Sequence, residues 1–216
     1  MTTRPKTFGP GLLALAMTLP LAAWAAPVDD AVADLQRDWE VIRYQTPAAE
    51  REKRFEALVV KAHQTSQTYA GRAEPLVWEG IIVSSLAGEK GGLGALGLVK
   101  QAKANYEQAI HTDPKALDGS AYNSLGVLYY KVPGWPVGFG DKAKAGDLLL
   151  KGLAINPQGI DPNYFYGEYL VETNRADQAV TYLERALQAP PRPGRTVADA
   201  GRREEARALL AKLKTR

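Results

Sequence analysis

One arrangement of residues recurs three times along this chain and narrows the choice of fold more than any other feature. An alanine is followed four residues on by a bulky apolar or aromatic side chain, three further on by a small one, and five further on by a proline. It reads Ala102-Tyr106-Ala109-Pro114, then Ala145-Leu149-Gly152-Pro157, then Ala179-Leu183-Ala186-Pro191. Steps of four and three put the first three residues of each set on one face of an α-helix, and the proline ends that helix. Small residues on such a face let a neighbouring helix approach closely, and the large one fills the remaining gap. Constant offsets therefore describe a stacked array of helices.

Helical periodicity runs through most of the chain. Val32, Leu35, Trp39 and Ile42 recur at three- and four-residue steps behind Asp29 and Asp30 as potential N-caps. Phe55, Leu58, Val59 and Ala62 repeat the pattern, with Tyr69 two turns on, and further helices are predicted near 74–87, 95–111, 117–131, 141–155, 162–173, 176–189 and 196–214. No stretch alternates apolar and polar residues between turn signals as a half-buried strand would. The breaks are Thr46-Pro47, Asp113-Pro114, Asn156-Pro157, Pro190-Pro191 and Pro193-Gly194. Helices joined by short turns pack antiparallel, so the expected class is all-α.

The helices ahead of the second and third copies supply a matching half: Tyr122, Leu125, Gly126 and Tyr129, then Tyr166, Gly167 and Leu170. The whole arrangement resembles the tetratricopeptide repeat (TPR). The resemblance implies a stack of antiparallel helix pairs in a right-handed superhelix, with inserted loops and a C-terminal capping helix at about 196–214. It covers about 73–193. The copy at about 160–193 is uninterrupted, the second carries an insertion at 131–141, and the first an insertion at 88–97. In the first copy Leu76, Trp78, Gly80 and Val83 leave the phase of the leading helix open. The Gly/Pro/aromatic insertion ahead of Ala145 makes the chain similar also to periplasmic repeat proteins related to the T component of TRAP-type transporters.

The N-terminus carries an address. Arg4 and Lys6 precede an apolar run from Gly11 to Ala23, and Ala23-Trp24-Ala25 offers small residues at the two positions a signal peptidase reads. The run is broken by Pro20 and is shorter than the roughly 20 residues of a lasting span. The expected organisation is a cleaved signal peptide at 1–25 and a single helical domain at 26–216, periplasmic and without stable membrane insertion; the alternative is an uncleaved anchor. The chain has no cysteine, hence no lipid-attachment site and no disulfide. Its 27 basic and 24 acidic side chains nearly balance once Arg4 and Lys6 leave with the signal, which gives no nucleic-acid signature. The surplus of positive charge gathers at 192–216 and reads as a solvated basic last helix.

Catalytic groups are sparse. Gly92-Leu93-Gly94-Ala95-Leu96-Gly97 matches a dinucleotide fingerprint as a string, but a helix and not a strand leads into it. His63 and His111 lie in different predicted helices without a metal-ligand partner at i+4 and read as solvated. No spacing implies a shielded pair for acid–base work. No enzyme, metal or cofactor is expected.

What the TPR resemblance implies is a binding surface. In that family the first helix of each pair lines a concave groove. The equivalent positions here are Ser120, Asn123, Val127, Tyr130 and Lys131, then Asp161, Tyr164, Glu168, Val171 and Glu172. Asn123, Tyr130, Lys131, Tyr164, Glu168 and Glu172 become the expected partner-binding residues; the alternative is that they are ordinary solvated helix positions. Trp135 joins them from the inserted loop. Trp135 and Phe139 amid prolines and glycines are too apolar to wave in water: either they fold over the helix pair as a plug, the favoured reading, or they present a contact site. The expected function is an interaction module that binds a protein or peptide along its groove, with the handling of a small organic solute for a TRAP-type transporter as the alternative.

Overall fold

The computed structural model describes residues 26–215, so the signal-peptide reading falls outside the described residues. Among them every regular element is helical. Four pairs follow one another: α1 (Ala26–Gln45) with α2 (Ala48–Thr68), α3 (Ala73–Lys90) with α4 (Ala95–Thr112), α5 (Ala116–Lys131) with α6 (Lys142–Ile155), and α7 (Ile160–Glu172) with α8 (Ala176–Gln188). A ninth helix, α9 (Thr196–Lys214), ends the stack, and a 3-10 turn, Gly92–Gly94, joins α3 to α4. The expected all-α stack of helix pairs is present, and α1–α2 adds a pair ahead of residue 73. Asp29 and Asp30 do not cap α1: they lie exposed within its opening turns.

The repeat phase rests on three close contacts. A Cβ at Gly80 would lie 2.5 Å from Tyr106, one at Gly126 2.7 Å from Leu149, and one at Gly167 2.9 Å from Leu183. In each pair the small residue of the first helix thus receives the bulky residue of the second, which settles the phase of the first copy on Gly80. Ala102, Ala145 and Ala179 are fully buried, as are Ala109 and Ala186. Ala179→Leu is expected to destabilise by about 1–3 kcal/mol, because overpacking forces side chains off their rotamers or helices apart. An unchanged melting temperature would contradict this repeat phase.

The inserted loop is folded, but not as expected. Gly140 donates its N–H to the Pro133 carbonyl at 2.9 Å and Asp141 to the Tyr129 carbonyl at 2.8 Å. A Cβ at Gly140 would collide with the Val132 carbonyl oxygen, so only glycine allows that approach. Asp141 then caps α6, accepting from the N–H groups of Ala143 and Lys144 at 2.9 and 3.0 Å. Phe139 turns back edge-on to Tyr129, 5.4 Å between ring centroids. Trp135 does not: it is 90% exposed, and the plug reading fails for it. A tight turn, with the N–H groups of Val137 and Gly138 both bonded to the Gly134 carbonyl, holds the backbone beside the exposed indole.

The odd-numbered helices form the inner layer. α1 touches α3, α3 touches α5, α5 touches α7, and α7 touches α9. α9 then reaches back to α1. The expected capping helix therefore does more than cover the last pair: it closes the concave side into a ring.

Candidate functional site

The ring surrounds a half-open cavity of about 1250 Å³. Its wall takes Trp39, Arg43 and Tyr44 from α1, Trp78 and Ser85 from α3, Asn123, Val127 and Lys131 from α5, and Tyr164, Phe165 and Glu168 from α7. Leu93 from the 3-10 turn and Val137 from the inserted loop also belong to the wall and are exposed. The last side is supplied by the segment that runs into and along α9, with Arg192, Arg195, Arg202 and Glu205.

Charges from distant parts of the chain fasten that side. Asp161, at the start of α7, accepts from Arg202 Nε at 2.8 Å and also pairs with Arg192. Arg192 reaches Asp199 as well, at 2.7 Å. Arg202 pairs with Glu205 at 2.6 Å, and Glu205 with Arg43 of α1 at 2.8 Å. Glu40 of α1 accepts the Ala198 N–H at 3.1 Å, satisfying a donor that the first turn of α9 would otherwise leave bare. Burial pushes the Asp161 carboxyl up, but Arg202 and Arg192 outweigh it and hold the group well below the usual carboxylate range. Arg202 also lies over the rings of Phe165 and Tyr164, 4.4 and 4.6 Å from their centroids. Three arginines of the basic C-terminal segment are thus built into the cavity wall, which corrects the solvated reading for them, while Arg207, Lys212 and Lys214 are exposed as expected.

The residues anticipated at the groove fall into two groups. Asn123, Lys131, Tyr164 and Glu168 line the cavity; Tyr130, Glu172 and Trp135 do not. Asn123 is 3% exposed and its carboxamide presses on Gly152, where a Cβ would collide with Oδ1. Tyr130 is buried and donates its hydroxyl to Glu168 at 2.5 Å; burial, then the Glu168 charge, pushes its pKa up. Lys131 bridges Glu172 at 3.0 Å and Glu168 at 3.2 Å. These groups therefore tie α5 to α7, and the two glutamates are already engaged. His63 is exposed yet not merely solvated, since its Nδ1 lies 3.0 Å from the buried Glu79. Among the described residues no group of three or more His, Cys, Asp or Glu side chains could hold a metal ion, and no helix is long and apolar enough to cross a membrane.

Trp39, Arg43, Tyr44 and Arg195 are wall residues that sequence reasoning did not reach. One signal was present: Arg195, Asp199, Arg202 and Ala206 follow at four-, three- and four-residue steps, an inward stripe written largely in charges.

With Trp135 on the surface, Trp135→Ala is expected to leave stability within about 0.5 kcal/mol of the parent, measured by chemical denaturation. A loss of several kcal/mol would restore the plug.

Comparison with known proteins supports the fold. No protein-family model matches the chain, and no curated protein sequence matches it. Among solved structures it is similar to TTC0263, a thermophilic TPR protein of Thermus thermophilus, at 20% identity over 86% of this chain and 89% of that one, with a TM-score of 0.55. It also aligns with MamA of AMB-1 at 18% identity, 86% and 94% coverage and a TM-score of 0.48. Yeast Tom70 aligns at 18% identity over 87% of this chain and 38% of that one, with a TM-score of 0.46. The first likeness, together with the three Gly-to-bulky contacts, defines the class: a TPR-like helical-repeat fold.

Proposed function

We propose that this chain is a non-catalytic interaction module, exported to the periplasm through a cleavable signal peptide at 1–25, whose concave cavity receives a segment of a protein or peptide partner. The observation that carries the reading is the inner ring of α1, α3, α5, α7 and α9 around one cavity walled by aromatic rings and charges of both signs, the composition of a recognition surface. Closure of the ring by α9 specifically favours a second reading, in which the cavity holds a small organic solute for a TRAP-type transporter.

One experiment addresses both. The exported protein is captured from its own periplasmic extract and read by proteomics and by native mass spectrometry. A stoichiometric protein partner supports the first reading and a retained small-molecule mass the second, whereas finding neither would overturn the cavity as the working site. The same spectra test export: the intact mass is expected to begin at Ala26, and a full-length product that pellets with membranes would contradict it.

A further inference from the structure

Among the described residues five cations stand in the cavity wall, and four of them are held by carboxylates at 3.2 Å or less. Arg43 pairs with Glu205, Lys131 with Glu168, Arg192 with Asp161, and Arg202 with Asp161 and Glu205. The fifth, Arg195, is different. It is 8% exposed, and its guanidinium lies 4.8 Å from the Trp78 ring centroid and 6.0 Å from that of Trp39. Nε is buried without a hydrogen-bond partner, and among the described residues its side chain makes no hydrogen bond. The nearest carboxylate oxygen, Glu40 Oε2, is 3.6 Å from Nε and already accepts the Ala198 N–H. Burial, then the like charge of Arg192, lowers its pKa from the ordinary arginine value. The wall holds two further unsatisfied groups, the Tyr44 hydroxyl and Asn123 Oδ1, both buried with no partner.

We propose that Arg195 is the anion-recognition site of the cavity and receives the carboxylate of a ligand whose apolar stem lies along Trp39, Trp78 and Ile81. A buried Nε without a hydrogen bond is costly, and the planar fork of N–H donors matches the two oxygens of a ligand carboxylate. A single guanidinium fork that makes no hydrogen bond among the described residues seats one carboxylate. The Trp39 and Trp78 rings beside that fork favour an apolar body, which sets the ligand class as a monocarboxylate with an apolar stem. Two sources present that chemistry: a free organic acid and the C-terminus of a peptide. The inference rests on the cavity being the binding site.

The test titrates the purified protein by tryptophan fluorescence, which Trp39 and Trp78 report from the site. The probes are hexanoate and the peptide acetyl-Ala-Ala-Leu with a free carboxylate, each against its neutral amide. At least one acid is expected to saturate, at least tenfold tighter than its own amide, and Arg195→Met is expected to remove that difference; the acid that binds identifies the source. Equal binding of acids and amides would overturn anion recognition and leave the cavity reading standing, whereas no response to any probe would overturn both. Tight acid binding retained in a folded Arg195→Met protein would also overturn it. Should that variant fail to fold, the contrast between acid and amide in the parent protein decides the question.

Discussion

Asp161→Ala is expected to cost about 3 kcal/mol of stability, the range in which removing one partner strands buried charge. Asp161 is the acceptor shared by Arg202 and Arg192, and it joins the start of α7 to the segment that forms α9. Its loss leaves the 12%-exposed Arg202 side chain with Glu205 alone. Asp161→Asn keeps the shape and removes the charge, so most of the loss is expected to persist if charge is the cause. Chemical denaturation measures both variants, and a cost below about 0.5 kcal/mol would show that the network is ornamental. The same pair fixes a pH dependence. The carboxyl is depressed in the folded state, so its contribution is fully present above the unfolded value of about 4. It is lost as pH falls below that value towards the folded one. The parent is therefore expected to lose more stability than Asp161→Asn on acidification below about pH 4.

Tyr106→Ala is expected to cost about 3–5 kcal/mol, as for other buried aromatics. The ring is 1% exposed and fills the notch that Gly80 leaves on α3, and its hydroxyl lies 3.1 Å from Ser84 Oγ. Tyr106→Phe retains the packing and is expected to lose about 1 kcal/mol, the worth of one hydrogen bond. The ratio of the two losses separates packing from polar contact at the α3–α4 junction. Equal losses would mean that the hydroxyl, and not the fit of ring to glycine, holds the pair together.

The stack was legible because close helix approach imposes a narrow choice of residues. The rhythm of Ala145, Leu149 and Gly152 has no other economical explanation, and it places Asn123, Lys131, Tyr164 and Glu168 on the inner helices by position in the repeat. The far side of the cavity was hidden for a different reason. Hydrophobic periodicity detects inward faces by their apolar residues, and the inward stripe of α9 runs through Arg195, Asp199 and Arg202. Glu40 and Asp161, which face Arg195 and Arg202, come from α1 and α7, and no local spacing announces contacts so distant in sequence. Trp39 and Arg43 were missed because α1 precedes the recognisable copies. Trp135 misled because flanking prolines show that a backbone is stiff without showing which way its side chains point.

Repeat stacks ordinarily behave as one-dimensional systems: each unit feels only its neighbours, and the terminal units fray first and independently. Here the first and last helices share the Glu40–Ala198 hydrogen bond and the Arg43–Glu205 pair. Opening α9 therefore uncovers α1, and opening α1 removes the acceptor that satisfies the first turn of α9. The two termini become a single cooperative unit, so their amide hydrogens exchange at a common rate instead of along a gradient from each end. A linear array has acquired the statistics of a loop, in which no member is an end.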